Sequence, residues 1–344
     1  MPNKLTRRSL MMVTAAALIA ATASGSADAA EERSYLLATA TTGGTYYPVG
    51  VALATLTKVK LQPKEKISMS AITSAGSGEN IKLLRENQVQ FAILQGLYGA
   101  WAWTGTGQVA ADGPQKNLRS VTMLWQNVEH FVVDGKYVET GTAADLARLK
   151  GQKFSIGKRN SGTEGSGRTI LTGIGIDPDT TFDVVYMGYN PSADALQNGT
   201  IAGMNTPAGV PVAAVTRAAA ALGDKIRVLD FTDEEMAGAN KAAGLELWTR
   251  FVVPAKTYPG QLQDIKTIAQ PNFLAVREDV DEDAVYMITK TIYENLGFLQ
   301  AIHKATNAMA LDKAIAGLPF PLHPGAAKYY KEQGLTIPDS LIAK

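Results

Sequence analysis

Three features of the sequence predict an α/β fold with two lobes around a hinged cleft. Short apolar runs alternate with stretches of helical periodicity from Tyr35 onward, the pattern of α/β units. That alternation starts afresh near residue 153 with no low-complexity linker, so continuous extended segments must join the halves. Turns rich in Gly, Ser and Thr end strands in both halves, where open α/β sheets place their sites.

The elements follow in order. "SYLLATA" (34–40) reads as a strand and "YYPVGVALATLTKV" as a helix with Pro48 in its first turn. In that helix Tyr47 shares its spacing with Val51 and Ala54, so Tyr47 is expected in the core and Tyr46 toward the cleft. "ISMSAIT" (67–73) is a strand, "SGENIKLLRENQ" (77–88) a helix and "VQFAIL" (89–94) a third strand. "LRSVTMLWQNVEHFVV" (118–133) reads as one long extended stretch running from the first half into the second. There "KFSIGK", "FDVVYM" and "IAGMNT" are strands, and "GTEGSGRTILTGIG", "NPSADALQNG" and "VPVAAVTRAAAA" are helices. "IRVLDF" and "PNFLAVRED" are extended, "EDAVYMITKTIYENLGFLQ" (282–300) is an amphipathic helix, and "PLHPGAAKYYKEQG" is a short one. The expected division is residues 30–127 with 273–344 as lobe I and 128–272 as lobe II.

Composition narrows the function. Apolar residues at 46% and charged ones at 19% give a folded core, and a net charge of +1 gives no electrostatic footprint for nucleic acid. Residues 1–29 read as a cleaved export signal, with Lys4, Arg7 and Arg8, a short run of small apolar residues, and Ala27-Asp28-Ala29. Cysteine is absent, which removes thiolate chemistry and disulfides. His130, His303 and His323 are far apart and lack metal-ligand spacing, so each reads as a capped or surface residue. Neither a metal nor a cofactor is expected.

Three turns carry the chemistry: "TTGGTYYP" (41–48), "TSAGSGEN" (73–80) and "RNSGTEGSG" (159–167). Each offers hydroxyls, glycines that allow close approach, and the free N–H groups of a following helix. Helix N-termini favour anions without needing a lysine. The first turn lacks G-x-G-x-x-G spacing, and no segment matches the phosphate-binding G-x-x-x-x-G-K-[ST]. Helix capping alone would also explain any single turn. Three such turns across two halves point to an anion-binding cleft.

Together "TGGTYYPVG", "GSGENIKLL", "FSIGKRNSGTEGSGRTIL", "TYPGQ", "IYENL" and "LPFPLHPGAAKYYKEQG" resemble the TAXI family of solute receptors, in order from Tyr35 to Gly334. Those receptors serve tripartite ATP-independent periplasmic (TRAP) transporters. The resemblance implies a monomeric periplasmic receptor with a type II periplasmic binding protein fold. It would deliver a 2-oxo or dicarboxylic acid, glutamate or glutamine to an ion-coupled permease with fused subunits. Carried onto this chain, the ligand contacts come from Thr45, Tyr46, Gly76, Ser77, Gly78 and Gln95 in one lobe. Ser161, Gly162, Thr163, Asn205, Thr206 and Ala208 supply the other. Where many relatives have Gln-Ser-Asp, this chain has Gln95-Gly96-Leu97. The missing acid implies an organic acid ahead of an amino acid, with Glu79 or Glu164 as substitute acids. One of Trp101 and Trp103 is expected in the core and the other at the cleft or hinge.

Binding with lobe closure needs no enzyme chemistry. An exported hydrolase would need a base beside Ser77 or Ser161, and the sequence has no G-x-S-x-G elbow. A surface interaction protein is the third reading, and it predicts no stabilisation by small molecules.

Overall fold

The computed structural model describes residues 31–343, and the expected export signal lies outside them. The first half builds β1 (Arg33–Ala38), α1 (Tyr46–Glu65), β2 (Ile67–Ile72), α2 (Ser77–Arg85), β3 (Phe91–Gln95), α3 (Gly96–Thr104) and β4 (Leu118–Val128). Then come β5 (Phe131–Asp134), β6 (Lys153–Ser155), α4 (Gly162–Gly173), α5 (Pro178–Thr181), β7 (Asp183–Val185) and α6 (Tyr189–Gln197). The second half continues with β8 (Gly203–Asn205), α7 (Ala213–Leu222), β9 (Ile226–Val228), α8 (Asp233–Ala243), β10 (Thr249–Val253) and β11 (Ile265–Arg277). Helices α9 (Glu282–Glu294), α10 (Leu296–Ile302) and α11 (Pro324–Glu332) close the chain.

Two sheets result. The first has the order β10-β11-β3-β1-β2, with β4 on the other side of β11; the second runs β7-β6-β8-β5-β9. β1 is parallel to β2 and β3, and β6 is parallel to β7 and β8, as strand–helix–strand connections require. Helices cover both faces of each sheet. Leu53 of α1, Val285 of α9 and Tyr330 of α11 bury one face of the first, and Ile81 of α2 and Leu97 of α3 the other. Ala193 of α6 and Val215 of α7 cover the second sheet opposite Ile170 of α4. The cluster beneath α2 and α3 continues through Tyr98 to Phe131 and Phe154, so the lobes share buried packing on that side.

The stretch expected as one strand from 118 to 133 is broken. β4 and β5 lie in different sheets, with Glu129 and His130 between them. An apolar run buried on both faces looks the same whichever sheet it joins, so the pattern could not show the change. β11 returns alongside, and its pairing with β4 slips at Asn272/Phe273 and again at Leu274/Ala275. The expected helix 282–300 also breaks, at Asn295, whose Nδ2 donates to the Thr291 carbonyl at 2.8 Å. On α1, Tyr47 is half-buried and Val51 exposed; Val49, Leu53 and Leu56 carry the core face. Among the described residues no helix is long and apolar enough to cross a membrane.

Candidate functional site

The turns that follow β1, β2, β3, β6, β7 and β8 converge on one cavity, at the carboxyl ends of the parallel strands of both sheets. Its volume is about 30 Å³, room for roughly two or three waters. Hydrogen bonds tie the lobes around it. Gln95 Nε2 donates to the Gly162 carbonyl at 2.8 Å, the Glu79 amide to Asn160 at 2.9 Å, and Thr45 Oγ1 to Gly209 at 3.0 Å.

Nine of the twelve residues named from the sequence line this cavity. Thr45, Tyr46, Gly76, Ser77 and Gln95 come from one side, and Ser161, Gly162, Thr163 and Ala208 from the other. Gly78, Asn205 and Thr206 do not line it. Gly78 is pressed against the other lobe, with a Cβ there falling 2.6 Å from the Asn160 carbonyl oxygen. Asn205 ends β8 and turns Nδ2 toward the Thr163 carbonyl at 3.4 Å, while the Thr206 amide donates to His130 at 3.0 Å. Lys158, Tyr189 and Asn127 line the cavity without having been singled out. Lys158 lies inside the quoted "SIGKRNSG", and Tyr189 opens α6 as Tyr46 opens α1. Asn127 sits on β4, where nothing in the pattern marks it.

Helix starts dominate the lining. The N-caps of α1, α2, α3, α4 and α6 are Thr45, Gly76, Gln95, Ser161 and Gly188, and all five border the cavity. Gly76 holds φ +123, a conformation that favours glycine, and lets the α2 start meet α4 with the Gly162 nitrogen 3.5 Å from where a Cβ would be. Side-chain donors are less free than the sequence suggests. Tyr46 gives its hydroxyl proton to Asn272 Oδ1 at 2.6 Å, and Tyr189 gives its own to the Pro207 carbonyl at 2.5 Å. Burial pushes both phenols well above the ordinary tyrosine range, so they stay protonated. Lys158 is the single charged residue in the lining; no Asp or Glu borders the cavity among the described residues.

The remaining candidates fall elsewhere. Glu79 accepts from the Ala75 amide at 2.5 Å and Glu164 from the Asn160 amide at 2.8 Å, so both serve their own helix starts. Trp101 is buried and packs edge-on against Tyr98, as expected for one of the pair, and Trp103 stacks on Phe320 beneath Lys116; neither lines the cavity, so the cleft-edge position expected for the other is not found. His303 and His323 are N-caps through Nδ1. His130 is buried with both ring nitrogens bonded, to Val128 O at 2.8 Å and Tyr258 OH at 2.7 Å, and burial lowers its pKa to about 4. No group of three His, Cys, Asp or Glu among the described residues could hold a metal ion.

The NMT1-like family model matches residues 37–334, most of the chain. The chain belongs to the NMT1-like family. This NMT1-like protein is similar in structure to MatC from Rhodopseudomonas palustris with bound malate, at 12% identity over 87% of this chain and 97% of that one, with a TM-score of 0.55. It is also similar to the periplasmic binding protein BugD, at 11% identity over 88% and 94%, with a TM-score of 0.53. At such identities the likeness shows the fold: two α/β lobes, as in periplasmic binding proteins.

Proposed function

We propose that the protein is an exported receptor that closes its two lobes on a small carboxylate and presents it to a TRAP-type permease. One observation carries this reading. Helix N-termini from opposing lobes meet around a cavity whose lining holds one cation and no acid. Each helix start carries about half a positive charge and unpaired N–H groups, which is what a carboxylate needs. The twelve residues named from the resemblance are the ligand-binding set, with Gly78, Asn205 and Thr206 supporting it from behind. In this reading the lobes exchange at about residues 127/128 and 272/273; the second of these coincides with a slip of the β4–β11 ladder between Asn272 and Phe273.

The lining favours an organic acid over an amino acid, because an ammonium group would meet Lys158 and helix N-termini with no carboxylate beside it. A hydrolase fits less well. Ser161 Oγ accepts from the Glu164 amide and Ser77 Oγ from the Gln95 amide, and among the described residues no His, Asp, Glu or Lys side chain is hydrogen-bonded to either. Delivery to a TRAP permease rests on the TAXI resemblance along residues 35–334.

A thermal-shift screen over 2-oxo acids, hydroxy acids, dicarboxylates and amino acids is expected to give a saturable shift with no turnover. A flat screen would remove the receptor reading. Lys158→Ala is expected to weaken the best carboxylate about tenfold by calorimetry, most at low salt. Unchanged affinity would leave the helix starts as the sole anion holders.

A further inference from the structure

The crossing strands and the turn after β8 hold several buried polar atoms without partners: Trp125 Nε1, Asn127 Oδ1, Glu129 Oε2, Asn205 Oδ1, Gln270 Nε2 and Asn272 Nδ2. Of these residues only Asn127 lines the cavity, and it is 2% exposed. The orientation of its amide follows from its neighbours. A backbone carbonyl cannot donate, so the Gln95 atom 2.8 Å from Gly162 O must be the amide nitrogen. Gln95 Oε1 therefore faces Asn127 at 3.1 Å and must receive its Nδ2. What Asn127 has left is an acceptor.

No donor among the described residues reaches that acceptor, and three hydroxyls of the lining give their protons elsewhere. Tyr46 donates to Asn272, Tyr189 to Pro207 and Thr45 to Gly209. A buried acceptor without a donor is costly, and native structures rarely keep one unless something else supplies the proton.

Building on the carboxylate-receptor reading, we propose that the ligand is a short hydroxycarboxylate whose hydroxyl donates to Asn127 Oδ1 while its carboxylate lies against the helix starts. A 2-oxo acid would set its carbonyl oxygen against Oδ1, acceptor to acceptor. An ammonium acid could donate but would sit without a counter-charge near Lys158.

Calorimetry with matched pairs, lactate against pyruvate and 2-hydroxyglutarate against 2-oxoglutarate, with alanine and glutamate as the ammonium arm, tests the proposal. The hydroxy member is expected to bind about tenfold or more tighter than its partner. In Asn127→Leu that ratio is expected to fall to about one; because it is a ratio within one variant, partial loss of fold does not disturb it. A wild-type preference for the oxo or ammonium acids overturns the proposal and leaves the receptor standing. So does an Asn127→Leu variant that binds ligand with the ratio intact, because leucine removes the acceptor. Failure of every carboxylate to bind takes down both readings.

Discussion

Gly162→Val is expected to cost about a hundredfold in carboxylate affinity while leaving the melting temperature of the ligand-free protein within a few degrees. Gly162 opens α4, and a Cβ there would lie 2.9 Å from Gln95 Cδ, 2.9 Å from Ser77 Oγ and 3.0 Å from Gln95 Nε2. All three atoms belong to the opposing lobe, and the same Gln95 side chain donates to the Gly162 carbonyl. The backbone itself tolerates a side chain, since Gly162 is not among the residues with positive φ. The clash therefore exists only when the lobes meet. Overpacking of this kind costs about 1–3 kcal/mol, and the upper end of that range is about a hundredfold in binding. Gly76 is the contrast. Its φ of +123 would strain any side chain whether the lobes are together or apart, so Gly76→Val is expected to lower the melting temperature as well. Wild-type affinity in Gly162→Val, measured by calorimetry, would mean that closure of α4 on Gln95 and Ser77 is no part of binding.

The difference between these two glycines also marks what could be read from the sequence. "TTGGTYYP", "TSAGSGEN" and "RNSGTEGSG" announce helix starts by composition alone, and all three border the cavity. Composition does not say which glycine needs its backbone conformation and which needs the space, because the second depends on a residue in another lobe. The hinge was opaque for a related reason. Glu129 and His130 sit in an extended stretch that mixes apolar and polar residues, and a charged residue there gives no sign that it is wholly buried. Tyr46 was readable as a cleft residue, but its proton goes to Asn272, a position far along the chain. Asn127 became a candidate only through the orientation of Gln95. By contrast α8 carried a plain signal that the periodicity reading passed over: Thr232 and Glu235 form a capping box, and Gly244 closes the helix in the left-handed conformation.

Glu129 leads to the second large effect, a pH dependence of stability that Glu129→Gln should abolish. The carboxyl is buried between the crossing strands. Burial pushes its pKa up to about 8, against the pull of hydrogen-bonding neighbours Trp248, Ser166, Gln270 and Asn205. By distance and angle only Trp248 Nε1 donates to it, at 3.2 Å on Oε1; Oε2 and Asn205 Oδ1 are both without partners. Two acceptors cannot satisfy each other, but a protonated Oε2 can donate to Asn205. The unfolded carboxyl titrates near 4.5, so below that pH neither state loses a proton and Glu129 costs nothing. As the pH rises toward 8 the unfolded chain ionises and the folded one does not, and stability falls by about 3 kcal/mol between pH 5 and pH 8. Glutamine keeps the shape, can donate to Asn205, and carries no titration. Other groups near the carboxyl cancel in the comparison: His130 titrates near 4, Tyr46 and Tyr189 titrate far above 8, and all are common to both proteins. The two proteins should therefore melt at similar temperatures near pH 5. By pH 8 Glu129→Gln should melt about 6–10 °C above the parent. Parallel melting curves from pH 5 to pH 8 would show that Glu129 is already ionised in the folded hinge, with a donor there that the closed lobes do not display.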